Sequence, residues 1–118
     1  MREIKFRGRW LEKWYYGDMM RNERVPVMHY IGSKNNFIMV EPDTVGQFTG
    51  LLDSNGKEIY EGDVVRTDDW STPSFICWDD VTASFVVDRW SVNLAHVSQI
   101  KVIGNVHDNP NLLEVEHD

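Results

Sequence analysis

The stretch from Thr44 to Val65 constrains this chain more than any other. Asn55-Gly56 stands between two apolar runs, and Glu61-Gly62-Asp63 stands directly before the β-branched pair Val64-Val65. Asn-Gly is the strongest short hairpin signal, because a type I′ turn needs φ > 0 at both central residues. The stretch therefore predicts a tight hairpin turn with Gly56 at positive φ. It contains no catalytic chemistry.

The rest of the chain reads the same way. Ile4, Phe6 and Trp10 alternate weakly from Glu3 to Trp10, with Gly8 as the mark of a bulge. Leu11-Glu12-Lys13 is a tight connection to an aromatic-rich strand from Trp14 to Met20. Pro26 makes the run Val25–Ile31 an edge or irregular strand. A turn cluster follows from Gly32 to Asn36, then a short buried strand Phe37–Val40, stopped by Pro42. Val45–Phe48 alternates, and Asp63–Thr67 opens the second half. Asp68–Ser74 is a loop, Phe75–Trp78 and Ser84–Val87 pair across Asp79–Thr82, and the β-branched density of Leu94–Val106 predicts a last strand. Asn109-Pro110 ends it, and Leu112-Leu113 docks the tail. Short caps are expected at Asp43-Thr44 and over 110–115. No window shows a clean 3.6-residue apolar stripe, so the fold class is mainly β with little helix: short-stranded antiparallel sheets, the C-terminal half an SH3-like small barrel by strand spacing. The organisation expected is one domain over 1–118, with an N-terminal β lobe (1–60), a small β-barrel lobe (61–113) and a tail (114–118).

With 118 residues, 42% hydrophobic, the chain can bury a core, so disorder is not expected. The single cysteine, Cys77, excludes an internal disulfide and a Cys-based zinc site, and its apolar run Phe75–Trp78 makes it a small buried hydrophobe. No signal-like stretch follows Arg2, and no run approaches the roughly 20 apolar residues of a membrane helix, so a soluble, cytoplasmic protein is expected. The net charge of −7 is uneven: residues 1–60 hold nine Lys/Arg and eight Asp/Glu, residues 61–118 three and eleven. Such a split favours two electrostatically different faces or head-to-tail contacts between chains. Trp10, Trp14, Trp70 and Trp90 lie near turns or strand ends, where large rings supply interface area. A homo-oligomer is therefore expected, its basic N-terminal strand near the acidic half of a neighbour.

Four groups of residues bear on chemistry. Arg2, Lys5, Arg7, Arg9 and Lys13 interleave with Phe6, Trp10, Trp14, Tyr15 and Tyr16, the mixture of phosphate-neutralising cations and stacking rings that suits single-stranded nucleic acid. By alternation Lys5, Arg7 and Arg9 share one face and Ile4 and Phe6 the other, so a solvated basic face over an aromatic core accounts for the pattern as well. Overall acidity makes nucleic acid the less favoured partner. Asp63, Asp68, Asp69, Asp79, Asp80 and Asp88 are candidates for holding a hard cation in a metal-dependent hydrolase, although Asp is an ordinary turn residue. Asp53-Ser54-Asn55-Gly56 looks like an EF-hand start, but its glycine comes two positions early and Val64 occupies the twelfth position. His29, His96, His107 and His117 are dispersed; His96 and Ser98 share a strand face, but no nucleophile elbow accompanies them. No phosphate loop or dinucleotide fingerprint is present.

Three segments together resemble the YopX-like phage and prophage proteins. Ile4-Lys5-Phe6-Arg7 opens the pattern, Val45-Gly46-Gln47-Phe48-Thr49-Gly50-Leu51 continues through Asn55-Gly56-Lys57-Glu58-Ile59-Tyr60-Glu61-Gly62-Asp63, and Val102-Ile103-Gly104-Asn105 with Asn109-Pro110 closes it. The chain departs from the pattern at Thr72-Pro73-Ser74, where a glycine would open the next strand. The resemblance implies a phage or prophage origin and a mostly β fold, and it brings no catalytic residue and no cofactor. The function expected is a non-enzymatic binding or interaction module, acting on a host or phage protein.

Overall fold

The computed structural model describes residues 3–21, 28–88 and 92–114. Among them there is no α-helix; antiparallel strands are linked by tight turns and three short 3₁₀ turns. The chain divides into two units, Met1–Gly50 and Leu51–Asp118.

In the first unit the strands are β1 (Phe6–Trp10), β2 (Lys13–Arg21), β3 (His29–Ser33), β4 (Asn36–Val40) and the start of β5 (Gly46–Leu52), in the spatial order β4-β3-β2-β1-β5. β1 runs unbroken against β2 with Gly8 opposite Tyr15, so the expected bulge is not there. Gly8 has another role. A Cβ at this position would lie 2.7 Å from Val40 Cγ2 and 3.1 Å from Ile31 Cγ1, two side chains that are fully buried. The sheet curls tightly enough for β3 and β4 to lay these side chains onto β1, and only a glycine leaves the space. β5 pairs with β1 only at Phe6 and Arg7. Beyond that point the turn Pro42–Thr44 takes over. Arg9 N–H donates to Thr44 Oγ1 (2.8 Å), Arg9 O accepts from Glu41 N–H (2.8 Å), and the Thr44 hydroxyl donates to Glu41 O (2.6 Å). Pro26 lies outside the described residues, and β3 begins at His29.

The Leu11-Glu12 connection is a two-residue hairpin turn with the φ signs of type I′. Both residues have positive φ (50° and 68°), and Trp10 pairs with Lys13 across them. Two non-glycine residues held there cost about 1 kcal/mol or more each. Glu12→Gly should therefore raise stability by about 1 kcal/mol, read as a higher urea midpoint. A lower midpoint would contradict this turn geometry.

In the second unit the chain closes a hairpin between β5 and β6 (Glu58–Tyr60) at the expected place. Gly56 has the expected positive φ, 83°, but Asn55 does not, so the turn is not type I′. Gly56 N–H donates to Asp53 O (3.0 Å) and Asp53 N–H to Lys57 O (2.7 Å), the pattern of an i→i+3 turn ended by a left-handed glycine. The Asp53 carboxylate sets this choice. Its Oδ1 accepts from Asn55 N–H (2.8 Å) and Lys57 N–H (2.9 Å), while Oδ2 accepts from Val102 N–H (3.0 Å). The Asp53-Ser54-Asn55-Gly56 motif is thus a backbone latch tying the hairpin to the last strand, and its oxygens are spent on N–H groups rather than on a cation.

The remaining strands are β7 (Asp63–Arg66), β8 (Ser74–Asp79), β9 (Ser84–Val87), β10 (Val92–Asn93) and β11 (Lys101–Asn105), in the order β10-β9-β8-β7-β11. The expected succession of loop, hairpin and final strand is present, but the sheet does not close into a barrel: β10 and β11 remain edges. β10 is only two residues long, and Asn93 ends it by accepting Ala95 N–H at 2.9 Å to start the turn Leu94–His96. The same cap corrects the long strand expected from Leu94 to Val106, of which only Lys101–Asn105 is extended pairing. Ile59, Val65, Ile76, Phe85, Val87, Leu94 and Ile100 form the core of this unit. The Thr72–Ser74 departure needs no glycine, since none of these residues has positive φ and Ser74 pairs directly with Val65.

The closing motif is equally local. Asn105 Oδ1 accepts from His107 and Asp108 N–H, and Asn109 Oδ1 accepts from Asn105 N–H. The register shifts between Val102 and Gly104, and a Cβ on Gly104 would stand 2.9 Å from Asn109 Cγ and from Leu112 Cδ1. The glycine admits both side chains.

Candidate functional site

The basic N-terminal strand is turned inward. Arg7 is only 5% exposed and its guanidinium sits 4.7 Å from the Trp14 ring centroid. Lys5 lies over Phe48 (5.4 Å) and pairs with Glu3 (3.4 Å), and Arg9 pairs with Glu41 (3.4 Å). Ile4, by contrast, is 65% exposed. Alternation grouped Lys5, Arg7 and Arg9 correctly, but the solvated basic face over an aromatic core is reversed at Arg7 and Ile4. Register explains it: Arg9 faces Trp14 across β2, and Arg7 stands opposite Tyr16 and Gly46, so the cations share their face with rings. Lys13 belongs to the opposite face, over Tyr15 at 5.4 Å. Arg2 lies outside the described residues. Lys5, Arg7, Arg9 and Lys13 are thus not brought together on one open surface.

The acids also serve local structure. Asp63 is buried, and its Oδ2 accepts from Tyr60 N–H (2.7 Å), fixing the Glu61-Gly62 turn. Asp79 accepts from Val81 N–H and the Thr82 hydroxyl, and Asp80 from Trp78 Nε1. Among the described residues no group of three or more His, Cys, Asp or Glu is arranged to hold a metal ion. Cys77 is half-buried rather than buried, with Sγ 3.8 Å from Asp88 Oδ1. Burial, then the charge and hydrogen bond of Asp88 and the charges of Glu61 and Asp79, push its thiol up, away from the reactive thiolate.

Among the described residues, one concave surface of the second unit gathers several of these side chains. A groove of about 450 Å³ opens between the loop after β7 and the Leu94–His96 turn. It is lined by Trp70, Val87, Val92 and Val97 and by the polar residues Thr67, Asp69, His96 and Ser98. The volume lies within the range of roughly 300–1,000 Å³ usual for ligand sites. The Thr67–Trp70 turn is held by two bonds: Trp70 N–H donates to Thr67 O and Asp69 N–H to Thr67 Oγ1, both 3.2 Å. Trp70 packs against the core cluster on one side and lines the groove on the other.

The structure thus brings together three residues that the sequence offered separately. Asp69 belonged to the candidate acids, and His96 and Ser98 formed the candidate Ser-His pair. Among the described residues no hydrogen bond joins Asp69, His96 and Ser98, so no nucleophile-base relay is assembled. The apolar walls were not legible as a site. The available signal was a Trp in a turn-rich loop, followed by an Asn-capped turn.

Comparison with known proteins agrees with this fold. The model of a family described as YopX protein matches residues 5–114. A solved structure, "Crystal structure of protein EF1440 from Enterococcus faecalis", superposes with a TM-score of 0.64 at 21% identity, covering 97% of this chain and 100% of that one. No curated protein matches. Among the described residues no helix is long and apolar enough to cross a membrane.

Proposed function

The chain belongs to the YopX family, and we propose that it is a non-catalytic binding module whose partner is another protein. The observation carrying this reading is the groove at Trp70, where a half-buried ring and three valines stand beside the polar Thr67, Asp69, His96 and Ser98. Aromatic rings on rigid turns are the usual anchors of protein recognition, since they supply area at low entropic cost. The family resemblance supports a module made during phage growth or lysogeny, in the cytoplasm of a bacterial host.

Two other readings have less behind them. A single-stranded nucleic-acid binder needs its cations and rings free together, whereas Arg7 stacks inward on Trp14 and Arg9 pairs with Glu41. A metal-dependent hydrolase needs converging carboxylates, whereas Asp63 and Asp79 hold backbone N–H groups. Self-association has one observation in its favour. Residues 1–50 carry eight Lys/Arg against six Asp/Glu, and residues 51–118 four against thirteen.

Affinity capture from nuclease-treated host lysate tests the module reading, with the chain and its Ser98→Arg variant run in parallel. Ser98 is exposed, so the variant fills the groove without touching the core. A protein retained by the parent and lost by the variant is the expected result. Retention by both, or retention only before nuclease treatment, would remove the proposal. Light scattering decides self-association: a monomer mass at low salt excludes it.

A further inference from the structure

We infer that the groove at Trp70 takes an extended, positively charged segment of the partner, with an aliphatic or prolyl residue laid on the ring and Lys or Arg residues toward Asp69. This rests on the binding-module reading and adds the chemistry of the partner. The groove is open and mixes apolar with polar lining residues, which suits a strand-like segment more than a folded knob. The Thr67–Trp70 turn carries two consecutive exposed carboxylates, Asp68 and Asp69, directly before the ring. The backbone N–H groups of Asp69 and Trp70 bond to Thr67, itself buried, so the backbone of this turn is set before any partner arrives.

Charge then chooses the occupant. Residues 51–118 hold thirteen Asp/Glu against four Lys/Arg. Among the described residues the cations of this unit are Lys57, Arg66 and Lys101, and none lines the groove. Asp69 lines the groove and exposed Asp68 adjoins it, so a basic segment is steered in more readily than an acidic one.

The experiment is a titration of the ¹⁵N-labelled full chain with three blocked decapeptides. The first is built from arginine, proline and leucine; the second has glutamate and the third serine at every arginine. Amide shifts at residues 67–70 and 92–98 from the arginine peptide alone are expected. They should weaken at least tenfold in Asp69→Lys and in Ser98→Arg, both exposed positions, and should weaken at high salt. Equal groove shifts from the glutamate or serine peptide would overturn the charge inference while leaving the groove as a binding site. No groove shift from any peptide would overturn both readings. Groove shifts that appear on concentrating the chain alone would replace the basic partner with a second copy.

Discussion

Replacing Gly8 by Val should lower the stability of the first unit by about 3 kcal/mol or more, one of the two largest effects expected in this chain. The added Cβ alone would stand 2.7 Å from Val40 Cγ2, and neither Val40 nor Ile31 has free space to retreat into, at 2% and 0% exposure. Gly8→Ala should cost less, about 1 to 3 kcal/mol, since it adds only the Cβ. The cause can be isolated. Val40→Ala opens the space that the new side chain needs, so the double variant Gly8→Ala, Val40→Ala should be more stable than the sum of the two single losses predicts. Urea unfolding of the four proteins measures this. Strict additivity would mean that Gly8 is there for its backbone and not for its missing side chain.

Asp53→Ala should cost the second unit about 3 to 5 kcal/mol. The substitution removes one carboxylate that holds three backbone N–H groups, from Asn55, Lys57 and Val102, at 2.8 to 3.0 Å. Two of those bonds shape the hairpin turn and the third joins it to β11. The site is 7% exposed, so the N–H of Val102 would lose its partner with little water to replace it. The same carboxylate gives a pH signature. Burial raises its pKa, but the bonds from Val102, Lys57 and Asn55 and the charge of Lys57 outweigh burial, and the net shift is downward from 3.8. A group with a lowered folded pKa contributes fully above its unfolded value and loses that contribution as pH falls through the folded value. The stability gap between the parent and Asp53→Asn should therefore be largest near neutrality and narrow below about pH 4. A gap that widens on acidification would contradict the latch.

Turn chemistry was legible where it is local. Asn55-Gly56 announces a hairpin and a left-handed glycine, and both occur. What the dipeptide alone does not specify is the turn type, which Asp53 decides from two residues upstream. Leu11-Glu12 is the opposite case. Neither residue favours positive φ, and the I′ geometry follows from pairing Trp10 with Lys13, a tertiary demand that overrides propensity. Arg7 shows the limit of alternation, which sorts side chains into two faces but does not say which face is covered. That depends on the neighbouring strand β2 and on β5, which is distant in sequence. The break in Leu94–Val106 has little signal, because Val97 and Ile100 carry the β-branched pattern through the loop up to Val102 and Ile103, and the Asn93 cap is a single residue. The groove had the least signal. Trp70 and Val97 are brought to one surface by the meander β7-β8-β9-β10, and no spacing in the sequence encodes that.

The central claim is that the groove at Trp70 is where this protein meets another. Site-specific photo-crosslinking in the producing cell tests it most directly. A photoreactive phenylalanine analogue is placed at His96, exposed on the groove rim, and separately at Asp18, exposed in the first unit. The account predicts a discrete protein adduct from position 96, abolished by Ser98→Arg and absent from position 18. Adducts from position 18 alone, or an adduct at 96 that survives Ser98→Arg, would contradict it.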